Sequence, residues 1–179
     1  KVISHDVERI ERLITDYSQM LKDEASLSRA KMIKIDLLNV INSVAEDFNS
    51  DSLSSKKNIT ININNKSLGG LKLNVLGVES KLEQIVANLL ENAVSFSPHN
   101  GKILVTCSIK KKEAQLIIED EGPGFNEKNI NQVFNRFYSN RPEKFGEHSG
   151  LGLNIVKNII ELHGGSIIAS NQSNVDKKG

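Results

Sequence analysis

The spacing of apolar positions changes along this chain, and each change predicts an element. Near the start, Ile3, Val7, Ile10, Ile14, Tyr17 and Leu21 follow at intervals of 4, 3, 4, 3 and 4. That is the a/d seam of a coiled coil or helical bundle, so residues 1 to about 30 read as one helix whose narrow stripe calls for a partner helix. From Ala25 to Ile35 the repeat lapses into Ser, Arg and Lys, which reads as a hinge. Asp36 then caps a helix running to about Phe48, with Leu37, Leu38, Ile41, Val44 and Ala45 inward. A polar loop, Asn49 to Asn58, precedes two alternating strands, Ile59 to Ile63 and Leu71 to Val75, separated by a turn at Leu68-Gly-Gly.

Helical spacing returns with Val78, Leu82, Ile85, Val86, Leu89, Leu90 and Ala93, and Ser97-Pro-His-Asn-Gly101 ends that helix. Residues 102 to 110 and 114 to 120 read as a hairpin. Phe125 to Ser149 carries no strong period, and a stretch of about 25 such residues inside a compact domain reads as a functional lid. Leu151, Ile155, Val156, Ile159, Ile160 and Leu162 mark a last helix, closed by His163-Gly-Gly165, with His163 placed to interact with the helix C-terminus. Ser166 to Ser170 is a further strand. The alternation predicts an α/β fold: an α+β two-layer sandwich, with a mixed sheet, helices on one face, and a long N-terminal coiled-coil or bundle helix ahead of it.

Composition narrows the function more than the fold. A formal net charge of +1 gives no reason to expect nucleic acid or an anionic membrane surface as partner. Aromatics make up only 4%, so the core must be built from Ile, Leu and Val. The single cysteine, Cys107, excludes an internal disulfide and a cysteine-based zinc site, and reads as buried filler in an apolar strand. No run approaches the ~20 apolar residues of a membrane span.

Three stretches carry chemistry. Asn88 and Asn92 are four apart on the amphipathic helix and project from one side, offering two neutral amide oxygens of the kind that suits Mg²⁺ held mainly by phosphates. Asp120 ends an apolar strand and is followed by Glu121-Gly-Pro-Gly124. A carboxylate there can accept a hydrogen bond from an exocyclic amine such as that of adenine, beside glycines that let the backbone approach a flat ring. Ser149-Gly-Leu-Gly-Leu153 opens the last helix, where free N–H groups and the dipole attract phosphate. There is no GxxxxGK[ST] loop.

In this order, and with Val133-Phe-Asn-Arg-Phe-Tyr138 between the second and third, the set resembles the ATP-binding domain of sensor histidine kinases in the GHKL ATPase group. Asn88 to Asn92 looks like the N box, Asp120 to Gly124 the first glycine box, Phe134 to Tyr138 the F box and Ser149 to Leu153 the second glycine box. The likeness covers nearly the whole chain. It implies a Bergerat-type fold, ATP and Mg²⁺ as cofactors, and transfer of the γ-phosphoryl group to a histidine upstream of this chain. From there the group would pass to an aspartate on a response-regulator receiver domain.

The resemblance also assigns roles residue by residue. Asp120 would bind the adenine amino group, with Gly122 and Gly124 shaping the pocket; Asn92 would be the first Mg²⁺ ligand and Asn88 a supporting one. Arg136 and the amides of Gly150 and Gly152 would meet the phosphates, with Arg141 and Lys144 as further contacts and Phe96, Phe137 and Leu151 as additional nucleotide-binding positions. Residues 1–33 would be the second, partial helix of a dimerisation hairpin, and 34–179 the catalytic domain with its final strand beyond Gly179. The parent is expected to be an inner-membrane sensor that dimerises through the N-terminal helix, with this piece cytoplasmic and not itself touching membrane.

Some positions depart from the family pattern. Ser95, Phe96, Glu79 and His148 stand where lysine, tyrosine, aspartate and glycine are common. His5 is followed by Asp6 but lacks the proline that follows the family's phosphoacceptor, so it is not taken as that residue. Asn88 occupies the place of the glutamate that activates water in the ATP-hydrolysing relatives, which speaks against a hydrolase. The remaining alternative is a catalytically degenerate, nucleotide-responsive scaffold.

Overall fold

The computed structural model describes residues 30–50, 56–66, 72–125, 127–138 and 150–172, with scattered positions between Val7 and Ala25. In chain order the elements are β1 (Ile33–Asp36), α1 (Leu37–Ser50), β2 (Thr60–Asn65), β3 (Asn74–Gly77), α2 (Glu79–Phe96), β4 (Lys102–Lys110), β5 (Glu113–Glu119), a 3-10 helix (Glu127–Phe134) and α3 (Gly152–Leu162). The main sheet has the order β2-β4-β5, with β2 parallel and β5 antiparallel to β4, so it is mixed as expected. A separate ribbon pairs β1 with β3 in antiparallel register from Ile33↔Gly77 to Asp36↔Asn74.

Alternation along β4 decides where the helices sit. Ile103, Val105 and Cys107 are fully buried and join Ile61 of β2, Ile41 of α1, Val86, Leu90 and Val94 of α2, and Val156 of α3 in one core. On the opposite face Leu104 and Ile117 remain partly open to solvent. One face of the sheet therefore carries the helical layer. Burial pushes the Cys107 thiol above its ordinary pKa, which fits a filler and not a nucleophile. The β4–β5 hairpin turns through Lys111 and Lys112, both at positive φ (51° and 70°), the left-handed pair of a two-residue hairpin loop.

Asp36 caps α1 as predicted, accepting a hydrogen bond from Leu38 N at 3.2 Å. The expected hinge from Ala25 to Ile35, however, contains the start of β1. That strand is too short for a period to register, and its partner β3 lies two to three residues later than the predicted Leu71 to Val75. Ser166 to Ser170 is not a strand: Ile167 packs against the core and Ile168 is 87% exposed, so the two faces alternate without a ladder of hydrogen bonds. Alternation sets which face is buried; only a paired edge makes a strand. Part of the presumed lid is regular, since Val133 and Phe134 of the 3-10 helix are buried.

The predicted first helix lies mostly outside the described residues. Val7, Ile10, Ile14 and Leu21 of its seam are 45–61% exposed, so these positions are not packed into the domain core.

Candidate functional site

Helix α2 is the spine of the site. Asn88, Asn92 and Phe96 follow at intervals of four, which lines them up along one side over about 12 Å of helix. Asn88 Nδ2 donates to Gln84 O at 2.8 Å and Asn92 Nδ2 to Asn88 O at 3.0 Å. Each amide thus gives one of its two N–H donors to the helix backbone. This orients the side chains and leaves the oxygens as the groups a cation would use. Among the described residues no group of three or more His, Cys, Asp or Glu could hold a metal, so any ion here would be held by amides and by a ligand's phosphates. The donor set fits Mg²⁺ on those terms.

At the phosphate end, α3 begins beside Asn88. A Cβ on Gly152 would lie 3.1 Å from Asn88 Oδ1 and 3.7 Å from Asn92 Nδ2, so the second glycine box touches the N box directly. Leu151 stands at the N-cap and makes no side-chain cap bond, which leaves the first N–H groups of α3 for another acceptor. Gly150 has φ +69°, and a Cβ there would lie 2.8 Å from Tyr138 O and 2.9 Å from the Phe137 carbonyl carbon. Only glycine fits between α3 and the F box. Leu151 itself is wholly buried, so its side chain is a packing residue and only its backbone could reach a ligand.

At the other end, Asp120 follows β5. Its Oδ1 accepts from Gly122 N at 2.8 Å, and the opposite oxygen is left for a ligand donor. A Cβ on Gly122 would lie 2.6 Å from that Oδ1 and 3.1 Å from Phe96 O, so the first glycine box packs against the last turn of α2. Gly124, at φ +75°, lies against Asn171, whose Oδ1 accepts from Phe125 N at 2.6 Å and whose Nδ2 donates to Phe125 O at 2.7 Å.

The F box supplies Phe134, Arg136 and Phe137. Phe134 is buried, and its carbonyl accepts from the buried Asn154 Nδ2 at 2.9 Å. Phe137 is half exposed at φ +61°, an unusual conformation for a bulky residue and one that stores strain. Its ring centroid lies 6.2 Å from that of Tyr17. Arg136 Nη1 donates to Tyr17 Oη at 3.3 Å, with its guanidinium carbon 5.6 Å from the centroid of the same ring. Arg136 is therefore engaged by a residue of the N-terminal segment.

Asn88, Asn92, Phe96, Asp120, Gly122 and Gly152 are thus joined through α2 and Gly150 is set against Phe137 and Tyr138, whereas Arg141 and Lys144 lie outside the described residues. Sequence reasoning missed Asn154 and Asn171. Asn154 left a signal, a polar residue on an otherwise inward helix face; Asn171 follows a presumed strand and left none. His163 does what was expected and more: Nδ1 lies 2.7 Å from Ile159 O, and Nε2 accepts from Val78 N at 3.2 Å, tying the end of α3 to the start of α2. A cavity of about 400 Å³ between α1 and α2, lined by Asp47, Phe48 and Glu83 among others, contains none of the predicted site residues.

A helical layer over a mixed sheet, with paired asparagines, an aspartate-glycine turn and a glycine-opened helix converging on one element, defines an ATP-binding domain of the GHKL class. Residues 77–179 match the family described as histidine kinase-, DNA gyrase B-, and HSP90-like ATPases, and the chain belongs to it. It is similar to Sensor protein ChvG of Rhizobium meliloti (strain 1021), 38% identical over 98% of this chain and 31% of that protein. To Sensor protein ChvG of Agrobacterium fabrum it is 40% identical, over 100% of this chain and 30% of the other. Among solved structures, a mycobacterial sensor histidine kinase MprB matches with a TM-score of 0.61 at 30% identity, covering 74% of this chain and 80% of that one. The chain spans about a third of the length of these curated relatives.

Proposed function

We propose that this chain is the ATP-binding catalytic part of a sensor histidine kinase, binding Mg-ATP and passing its γ-phosphoryl group to a histidine upstream. The observation that carries this is the contact of Gly152 with the Asn88 amide, which sets the uncapped N-terminus of α3 beside the Asn88 amide oxygen and close to the Asn92 amide. Asp120 binds the adenine amino group beside Gly122 and Gly124. Asn92, with Asn88 in support, holds Mg²⁺, which neutralises phosphate charge when bound. The amides of Gly150 and Gly152 and the Arg136 guanidinium orient the phosphate oxygens; Arg141 and Lys144 extend that contact. Phe96 and Phe137 flank the nucleotide.

Asn88 has no basic group to activate water, so the reading favours phosphoryl transfer over hydrolysis. The acceptor is an imidazole on the dimerisation hairpin, of which residues 1–33 are the second helix. The phosphoryl group then moves to a response-regulator aspartate. In the parent, this part lies on the cytoplasmic side of a membrane sensor that dimerises through the N-terminal helix. No helix among the described residues is long and apolar enough to cross a membrane.

The test is a calorimetric titration of Mg-ADP and a non-hydrolysable ATP analogue into this chain and into Asp120→Asn. Saturable binding lost in the variant supports adenine at Asp120. No binding by the folded wild type sinks the assignment and leaves the scaffold reading.

A further inference from the structure

The last turn of α2 has no basic residue of its own. A helix C-terminus leaves carbonyls unsatisfied and the negative end of the dipole exposed. Here the cation comes from a segment 37 to 40 residues earlier in the chain. Lys57 Nζ donates to Val94 O at 3.0 Å, Ser95 O at 2.8 Å and Ser97 O at 3.0 Å. An ammonium group has three donors, and three carbonyls receive them. The backbone around Lys57 is also fixed to the turn that follows α2. Lys57 O accepts from Asn100 N at 2.8 Å, and Asn58 Nδ2 donates to Asn100 Oδ1 at 2.8 Å.

Phe96 lies between two of the carbonyls that Lys57 holds. Its own carbonyl and Cβ are the atoms that a side chain on Gly122 would meet, at 3.1 and 3.2 Å. Gly122 N in turn holds Asp120 Oδ1. Contacts therefore run without a break from Lys57 through the last turn of α2 and Phe96 to Gly122 and the Asp120 carboxylate. We propose that Lys57 is a positioning residue for the adenine end of the nucleotide site, fixing the wall on which the Asp120 turn rests. It touches no ligand itself, and the proposal builds on the reading of Asp120 as the purine contact.

A plain helix cap would stabilise the domain as a whole, whereas a positioning residue acts on one turn, and amide hydrogen exchange separates the two. In Lys57→Met, exchange at Ser95, Ser97 and Gly122 should speed up at least about tenfold while Val105 and Ile118 in the β4–β5 ladder stay within about twofold. Mg-ADP affinity should fall about tenfold by calorimetry, and Lys57→Arg, which keeps the charge and the donors, should recover it to within about threefold. Acceleration confined to α2 with Gly122 unchanged overturns the proposal, as does uniform acceleration that includes β4, or an affinity within about twofold of wild type. If Lys57→Met does not fold, Lys57→Gln retains two N–H donors and is read by the same criteria. A wild type that binds no Mg-ADP would remove the nucleotide reading, and the exchange at Gly122 would still decide whether Lys57 holds that turn.

Discussion

The two ends of the site are held in different ways. Around Asp120 the protein satisfies itself: Gly122 N is taken by the carboxylate, Phe125 is gripped on both backbone groups by Asn171, and the end of α2 is covered by Lys57. Around α3 it does not. The N-cap makes no side-chain bond and Phe137 sits in a strained conformation, while Arg136 is already engaged by Tyr17 and must leave it to meet a phosphate. A flat ring needs a shaped slot before it arrives, and a slot can be built from fixed backbone. Phosphates bring their own charge and hydrogen-bond acceptors, so their end can be left incomplete at modest cost.

The largest test of this contrast is Gly122→Ala. A methyl group 2.6 Å from Asp120 Oδ1 and 3.1 Å from the backbone Phe96 O can be relieved only by turning the purine-binding carboxylate out of place, so Mg-ADP affinity should fall about a hundredfold by calorimetry. Little change would mean that the slot is not preformed. Gly152→Ala should cost less, about tenfold, because the atom met at 3.1 Å is a side-chain amide that can yield. The loss should be greater for an ATP analogue than for ADP, since Gly152 lies at the phosphate end of the site. Equal losses with the two nucleotides would place Gly152 away from the terminal phosphate.

The smallest expected effect is that of Asn171→Ala. Its two hydrogen bonds to Phe125 are exposed, so urea denaturation should show a loss of about 1 kcal/mol, with about a threefold drop in Mg-ADP affinity. An affinity loss as large as that of Gly122→Ala would show that Gly124 and Phe125, not Phe96, form the main wall.

The helical face of α2 was legible because Leu82, Ile85, Val86 and Leu90 repeat a period that packing then enforces. The glycine positions were legible as motifs, although not the atoms that require glycine. β1 is hidden in a polar stretch because four residues carry no detectable period, and Ser166 to Ser170 has the alternation of a strand without its pairing, because alternation reports burial. Lys57 and Asn171 were invisible for a common reason. Each acts through its partners' backbone, and main-chain acceptors have no letter in a sequence.

The parallel pairing of β2 with β4 bears on how the domain folds. Parallel neighbours cannot be joined by a hairpin, so the chain must cross the sheet between them, and here the crossover is β3 and α2. Thr60 meets Lys102 about forty residues on, a loop whose closure entropy must be met before the ladder repays it. The helix that presents Asn88 and Asn92 is therefore the bridge that makes the central strand pairing possible. The spine of the nucleotide site is thus written into the strand order itself, and no rearrangement of the sheet can remove it without unpairing β2 from β4.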